Sequence, residues 1–194
     1  MINIEINAPD IQEIKAKLGQ LSNRSHVVLA RAGNRTVTYT KVNIAKQAKL
    51  KYIITQKTVK NTLDSNRATR RNPYAIITSK GSTIPLIDFN VSPRRHVKRL
   101  KRGKFSPNIY KSRTIRDSEL KGVERMFVAK NQVLIRPENA KSDTKIKNWL
   151  RFGASVPQMI NNKDVYRNIH NQSVAKLKER VNHEIEYELR RLES

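Results

Sequence analysis

Cysteine is absent from this chain of 194 residues. Disulfide frameworks and thiolate metal sites are thereby excluded, and synthesis inside a cell is the natural expectation. Glycine is scarce, with six residues, and neither GxGxxG nor GxxxxGK followed by Ser or Thr occurs. A phosphate-cradling loop of the nucleotide-binding kind therefore has little to be built from. No run approaches the roughly 20 apolar residues that span a bilayer. The opening MINIEINAPD carries neither a basic n-region nor an apolar h-region, so no secretory signal is expected. Acidic residues are the most informative shortage: 16 Asp and Glu face 40 Lys and Arg, for a formal net charge of +24.

Catalytic signatures are missing as well. The histidines, His26, His96, His170 and His183, form no HExxH pair. His183-Glu184-Ile185-Glu186 is at most a fragment of a metal-binding helix, and a surface helix of mixed charge accounts for it better. Asp64, Asp88 and Asp117 are the kind of residue that holds Mg²⁺ in a nuclease. Their spacing suggests no site, and each lies among basic residues where an ion pair is the simpler role. The expectation is a binding or assembly protein, not an enzyme, with no cofactor, no metal, no membrane partner and no small-molecule substrate.

The positive charge is unevenly spread. Residues 14–116 hold 25 Lys and Arg against Asp64 and Asp88 alone, a net of +23, and the rest of the chain is almost balanced. That many like charges repel one another and oppose compaction unless a polyanion or an acidic protein lies alongside. The densest stretch is 92–104, SPRRHVKRLKRGK, where Arg94, Arg95, Lys98, Arg99, Lys101, Arg102 and Lys104 meet no acid. Such an arm neutralises phosphates and releases counterions, or else is a solvated loop. Only Phe105 and Tyr110 flank it, too few aromatics for single-strand stacking.

The length fits one domain, 1–194. Asp10 is placed to cap a first helix through Leu21, with Glu13 at its third position. A longer helix is expected over 25–50, with Val28, Ala32, Val37, Thr40, Ile44 and Ala48 as its apolar stripe, although the run 36–40 has strand propensity. Thr55 caps a short helix carrying Val59 and Leu63, and Ile54 staples onto Val59. From residue 67 the pattern turns to strands. Segments 74–79 and 84–91 read as a hairpin across Lys80-Gly81-Ser82, with Pro85 placing the second strand late or at an edge. Segments 108–116, 123–130 and 132–136 give three more strands, the last two joined at Lys130-Asn131. A linker and the segment 152–159 lead to a closing helix from Lys163, with Val165, Ile169, Leu177, Val181, Ile185, Leu189 and Leu192 on its apolar face. The expected class is α+β: N-terminal helices (1–66), a four- to five-stranded mainly antiparallel sheet with the basic arm (67–137), and a linker with a long C-terminal helix (138–194).

Several segments, taken in order, resemble the prophage minor tail protein Z family, the tail-completion proteins of long-tailed bacteriophages. They begin with Ala32-Gly33-Asn34-Arg35-Thr36 and the threonines Thr38 and Thr40, then Tyr52-Ile53 with Val59-Lys60 and Leu63. Arg67-Ala68-Thr69 and Asn72-Pro73-Tyr74-Ala75 run on into Gly81, Ile84-Pro85-Leu86 and Phe89. Phe127-Val128-Ala129-Lys130 with residues 133–136, and Phe152-Gly153-Ala154-Ser155-Val156-Pro157-Gln158-Met159, complete the series before the closing helix. The chain departs from the family pattern at Ala154, where a proline is expected.

The resemblance implies a structural role in the virion, at the head-proximal end of the tail, for a protein made in the host cytoplasm. It implies a ring of identical copies, plausibly six, that meets tail terminator, tail tube or neck proteins, with double-stranded DNA passing through the lumen. It brings no catalytic residues. Composition alone favours a different reading, a ribosome-like or architectural nucleic-acid-binding protein, and a nuclease is the third.

Overall fold

The apolar stripes at helical spacing fold as helices, and the β-branched segments fold as short strands around them. The computed structural model describes residues 2–4, 11–92, 111–116, 121–122, 126–129, 131–135 and 150–193. Strand β1 (Ile2–Ile4) precedes helix α1 (Ile11–Leu18). Gly19 then takes φ +52, a left-handed conformation that glycine adopts without steric cost, and a 3-10 turn carries the chain into α2 (Ser25–Lys51). Helix α3 (Gln56–Lys60) follows, with the Thr55 side chain accepting from the Thr58 amide as its N-cap.

Strands β2 (Leu63–Asn66), β3 (Ile76–Ser79), β4 (Thr83–Pro85) and β5 (Asn90–Ser92) come next. They are succeeded by β6 (Lys111–Arg113), β7 (Lys121–Gly122), β8 (Met126–Ala129) and β9 (Gln132–Ile135). The chain ends through β10 (Phe152–Ser155), α4 (Val156–Ile160) and α5 (Lys163–Glu193).

The fold is α+β, and every strand pair is antiparallel among the described residues. Among the described residues the strands form four small sheets, in the orders β1-β3-β2, β10-β4, β5-β6-β7 and β8-β9, rather than one sheet of four or five. Single ladder contacts stitch some of them together. Arg151 bridges two sheets, its amide donating to Val133 O and its carbonyl accepting from the Leu86 amide.

The expected hairpin between 74–79 and 84–91 does not form. Both edges of β3 are occupied, by β1 and β2, so β4 pairs with β10 instead. Strand β4 ends at Pro85, which has no N–H to continue a ladder. Leu63 belongs to β2, not to the helix that Thr55 caps, yet it remains in the core. The strands expected on either side of Lys130-Asn131 do pair, β8 with β9, and Asn131 takes φ +57, which asparagine tolerates; Lys130 itself lies outside the described residues.

Helices α2 and α5 run antiparallel as a spine. At one end Lys51 pairs with Asp164, midway Thr40 Oγ1 lies 2.9 Å from Ser173 Oγ, and at the other end Arg24 pairs with Glu188. The predicted α2 stripe is buried throughout, so packing against α5 overrides the strand propensity of residues 36–40. Two apolar cores lie along this spine. One joins Ile44, Ala48, Val59, Ile77, Phe89, Met159 and Ile169. The other joins Ile14, Leu18, Val28, Leu29, Leu177, Val181 and Ile185. A third, small cluster of Val91, Val128 and Val133 lies under the outer strands.

Two glycines of the motif segments carry opposite expectations. A Cβ on Gly153 would lie 2.4 Å from Phe89 Cε2, and Phe89 is fully buried, so Gly153→Ala is expected to destabilise by about 1–3 kcal/mol. A Cβ on Gly33, inside α2, meets nothing closer than 3.9 Å, so Gly33→Ala should stabilise by about 0.5–1 kcal/mol. Urea denaturation midpoints for the two variants, moving in opposite directions from the parent, are the measurement.

Candidate anion-binding groove

Arg24, the residue that precedes α2, and Arg31 and Arg35 within it recur at spacings that bring side chains to one helix face. On α5 the series Leu177, Val181, Glu184 and Glu188 does the same, so two glutamates occupy the stripe that the apolar residues define. Antiparallel packing sets the two series against each other. Arg24 Nη1 donates to Glu188 Oε2 at 2.5 Å, and Arg31 Nη1 donates to Oε1 at 2.6 Å. Arg191, one turn on, lies 3.9 Å from the same carboxylate. The Glu188 side chain is 1% exposed, whereas those of Arg24 and Arg31 are 40% and 43% exposed. The carboxylate is thus sealed beneath guanidinium groups that themselves reach water.

Burial pushes the Glu188 carboxyl upward, and the hydrogen bonds and charges of Arg24 and Arg31 more than offset it, so its pKa is held below the usual glutamate value. Arg35 Nη1 stands 2.9 Å from Glu184 Oε1, close enough for charge attraction but out of line for a hydrogen bond. At the far end of the spine Lys51 lowers the Asp164 carboxyl through a hydrogen bond and its charge, but that pair is solvent-exposed and contributes little.

The segment 67–71 completes the groove. Asn34 on α2 holds it as a backbone strand would, accepting from the Ala68 amide at 2.9 Å and donating to the Ala68 carbonyl at 3.0 Å. A tight turn follows, in which the Thr69 amide donates to Asn72 O and the Asn72 amide donates to Thr69 Oγ1. Asn72 Oδ1 in turn accepts from the Tyr74 amide. Arg70 is thereby set opposite α2. The result is a groove of about 480 Å³ lined by Arg24, Arg31, Arg70 and Arg191, with Asn34 and Thr69 between them. Four guanidiniums and one carboxylate leave it a local charge of +3.

A second groove of about 690 Å³ lies beside the C-terminal half of α2. Tyr39, Val42 and Leu50 form its apolar wall, with Lys46, Lys49 and Arg116 at its rim. Among the described residues no three His, Asp or Glu side chains gather as metal ligands. Asp64 and Asp88 are both exposed, on β2 and just before β5, and Asp117 lies outside the described residues. No helix among the described residues is long and apolar enough to cross a membrane.

The predicted arm residues Arg94, Arg95, Lys98, Arg99, Lys101, Arg102 and Lys104 lie outside the described residues. The motif positions turn out to be structural devices. Asn34 clamps the Ala68 segment, Arg35 faces Glu184, and Thr36 is buried in α2. Asn72 and Pro73 form the turn before β3, and the Pro73 carbonyl faces Gly33. Pro85 closes β4 opposite Phe152, and Gly153 gives room to Phe89. Ser155 caps α4 in a capping box with Gln158, and Pro157 sits in the first turn.

The groove itself was missed from sequence, where Glu184 reads as part of a surface helix of mixed charge and Glu188 is given no role. Their register with Leu177 and Val181 was the available signal. No protein-family model, no curated protein and no solved structure matches the chain.

The Glu188 contacts predict a pH signature. Because its folded-state pKa is lowered, its contribution is complete above the ordinary glutamate value and is lost as pH falls through the folded value. Glu188→Gln should lose about 1–3 kcal/mol at neutral pH. Urea midpoints across the acid range should show that gap closing as pH falls, and a gap constant with pH would contradict the assignment.

Proposed function

We propose that the protein is a structural subunit of a bacteriophage tail, acting at its head-proximal end to complete the tail for joining to the head. One observation carries this reading: the ordered series of segments resembling the prophage minor tail protein Z family, from Ala32 to Met159, on a chain with net charge +23 across residues 14–116. Several copies in a ring, such as a hexamer, would bring those charges around a central passage and focus a positive potential into it. Duplex DNA in transit is the polyanion such a passage suits. Tail terminator, tube or neck proteins would be its other neighbours.

Two features support the reading. The motif positions act as clamps, caps and close contacts rather than as reacting groups, which is what an assembly protein asks of its most distinctive residues. The half-exposed apolar residues Tyr39, Val42 and Ile115, with the more exposed Leu50, give part of the surface the character of a docking face. The excess of charge also favours a second reading, an architectural or ribosome-like nucleic-acid-binding protein. Recovery of the purified protein with bulk RNA or DNA at moderate salt, without any particle, would favour that alternative.

The tail reading predicts that electron cryo-microscopy of tails made with and without the protein differs by density at the head-proximal end alone. It also predicts that replacing Arg94, Arg95, Lys98, Arg99, Lys101, Arg102 and Lys104 by glutamine leaves the fold intact and lowers the yield of joined particles. Normal yields of infectious particles from that variant would sink the role given to the arm.

A further inference from the structure

The groove between the start of α2, the end of α5 and residues 67–71 has a property that charge alone does not give. Its cations are held in place. Arginine side chains on a surface ordinarily lose conformational entropy when they fasten onto a ligand. Here Glu188, buried beneath Arg24 and Arg31, fixes one N–H of each guanidinium at 2.5 and 2.6 Å. Among the described residues no other acceptor takes the remaining donors of either planar fork, and the side chains reach solvent at 40% and 43% exposure. Tyr187, with its ring centroid 6.0 Å from the Arg31 guanidinium carbon, adds a second restraint.

Arg70 faces this pair from the other wall, carried on a segment that Asn34 fastens by two hydrogen bonds. Arg191 closes the end, 3.9 Å from the same carboxylate. We infer that this groove is a preorganised binding site for backbone phosphates of nucleic acid, gripped by Arg24, Arg31, Arg70 and Arg191. The planar forks match the paired oxygens of a phosphodiester, and the local charge of +3 leaves an anion-sized deficit after Glu188 is counted.

Phosphate, rather than an acidic protein segment, follows from what else lines the groove. Among the described residues its apolar lining is limited to Val27, Ala30 and Ala68, with no aromatic or large aliphatic pocket to receive the side chains of a protein partner. Arg67 and Arg71 are exposed on the same segment, so the positive surface continues past the groove as a phosphate track requires. Phosphate oxygens carry no sequence information, so a grip of this kind is expected to be independent of sequence. The site is separate in residues from the 92–104 arm, and the inference stands whether or not the protein belongs to a phage tail.

The test uses the full-length protein and a short blunt DNA duplex, with affinity measured by fluorescence anisotropy over a series of salt concentrations. Arg24 and Arg31 are left intact, because removing them would leave Glu188 buried without its partners. The probing variant is Arg70→Gln with Arg191→Gln. The charge-matched control is Lys57→Gln with Lys60→Gln, two exposed lysines on α3. The groove variant should weaken binding at every salt concentration and reduce the slope of log affinity against log salt by about 2, roughly one unit per lost phosphate contact.

The control should leave the slope nearly unchanged. Equal losses in both variants would mean diffuse attraction and overturn the site. Loss of polyglutamate binding in the groove variant, with the duplex slope unchanged, would assign the groove to an acidic protein and likewise overturn it. Particle assembly is not read in this experiment, so its outcome is independent of the tail reading.

Discussion

The antiparallel packing of α2 against α5 is the constraint on which the rest of the structure depends. Neither helix would persist alone with so much charge along it, and each is held by the apolar stripe it buries on the other. That packing places the start of one helix beside the end of the other. One consequence is a pair of cores, with α1 covering the one that holds Val28 and Leu177, and strands β2 and β3 with α3 and α4 covering the one that holds Ile44 and Ile169. Another is that Glu184 and Glu188, near the end of α5, are brought against arginines of opposite charge at the start of α2.

The buried glutamates also bear on how so basic a chain compacts. Three acids of α5 are committed to cations on the other side of the spine: Asp164 to Lys51, Glu184 to Arg35, and Glu188 to Arg24 and Arg31. Glu179 and Glu186 pair with cations on their own helix, Lys176 and Arg190. The closing helix therefore serves as the counter-charge to part of α2, which composition by segment does not reveal. Arg70 has no comparable acid of its own in the lining it shares with α2 and α5, and Arg67 and Arg71 are exposed beside it. Positive charge consequently stays concentrated at that surface, where a polyanion would relieve it.

The small sheets have a different logic. With strands of two to four residues, none of them buries enough to stand alone, and each is fixed by what it packs on. Strand β10 shows this best. It pairs with β4, gives Phe89 the space where a side chain would stand at Gly153, and hands the chain through the Ser155 capping box into α4. Sheet pairing, core packing and helix initiation thus meet within four residues.

Local physics was legible in the sequence. The extents of α2 and α5 followed from apolar periodicity, the Thr55 cap and the Asn131 turn from side-chain chemistry, and the α+β class from the order of the elements. The confinement of positive charge to residues 14–116 is a property of the sequence itself. Beyond the β8–β9 hairpin, strand partners were not legible, because hydrogen bonding across a sheet is open to any strand of suitable length. Segments 74–79 and 84–91 looked like neighbours until β1 and β2 took both edges of β3. The groove was hidden for a related reason. A glutamate on a helix reads as solvated until a second helix fixes which face is covered, and only the antiparallel register of α2 on α5 decided that Glu188 would be buried beneath two arginines.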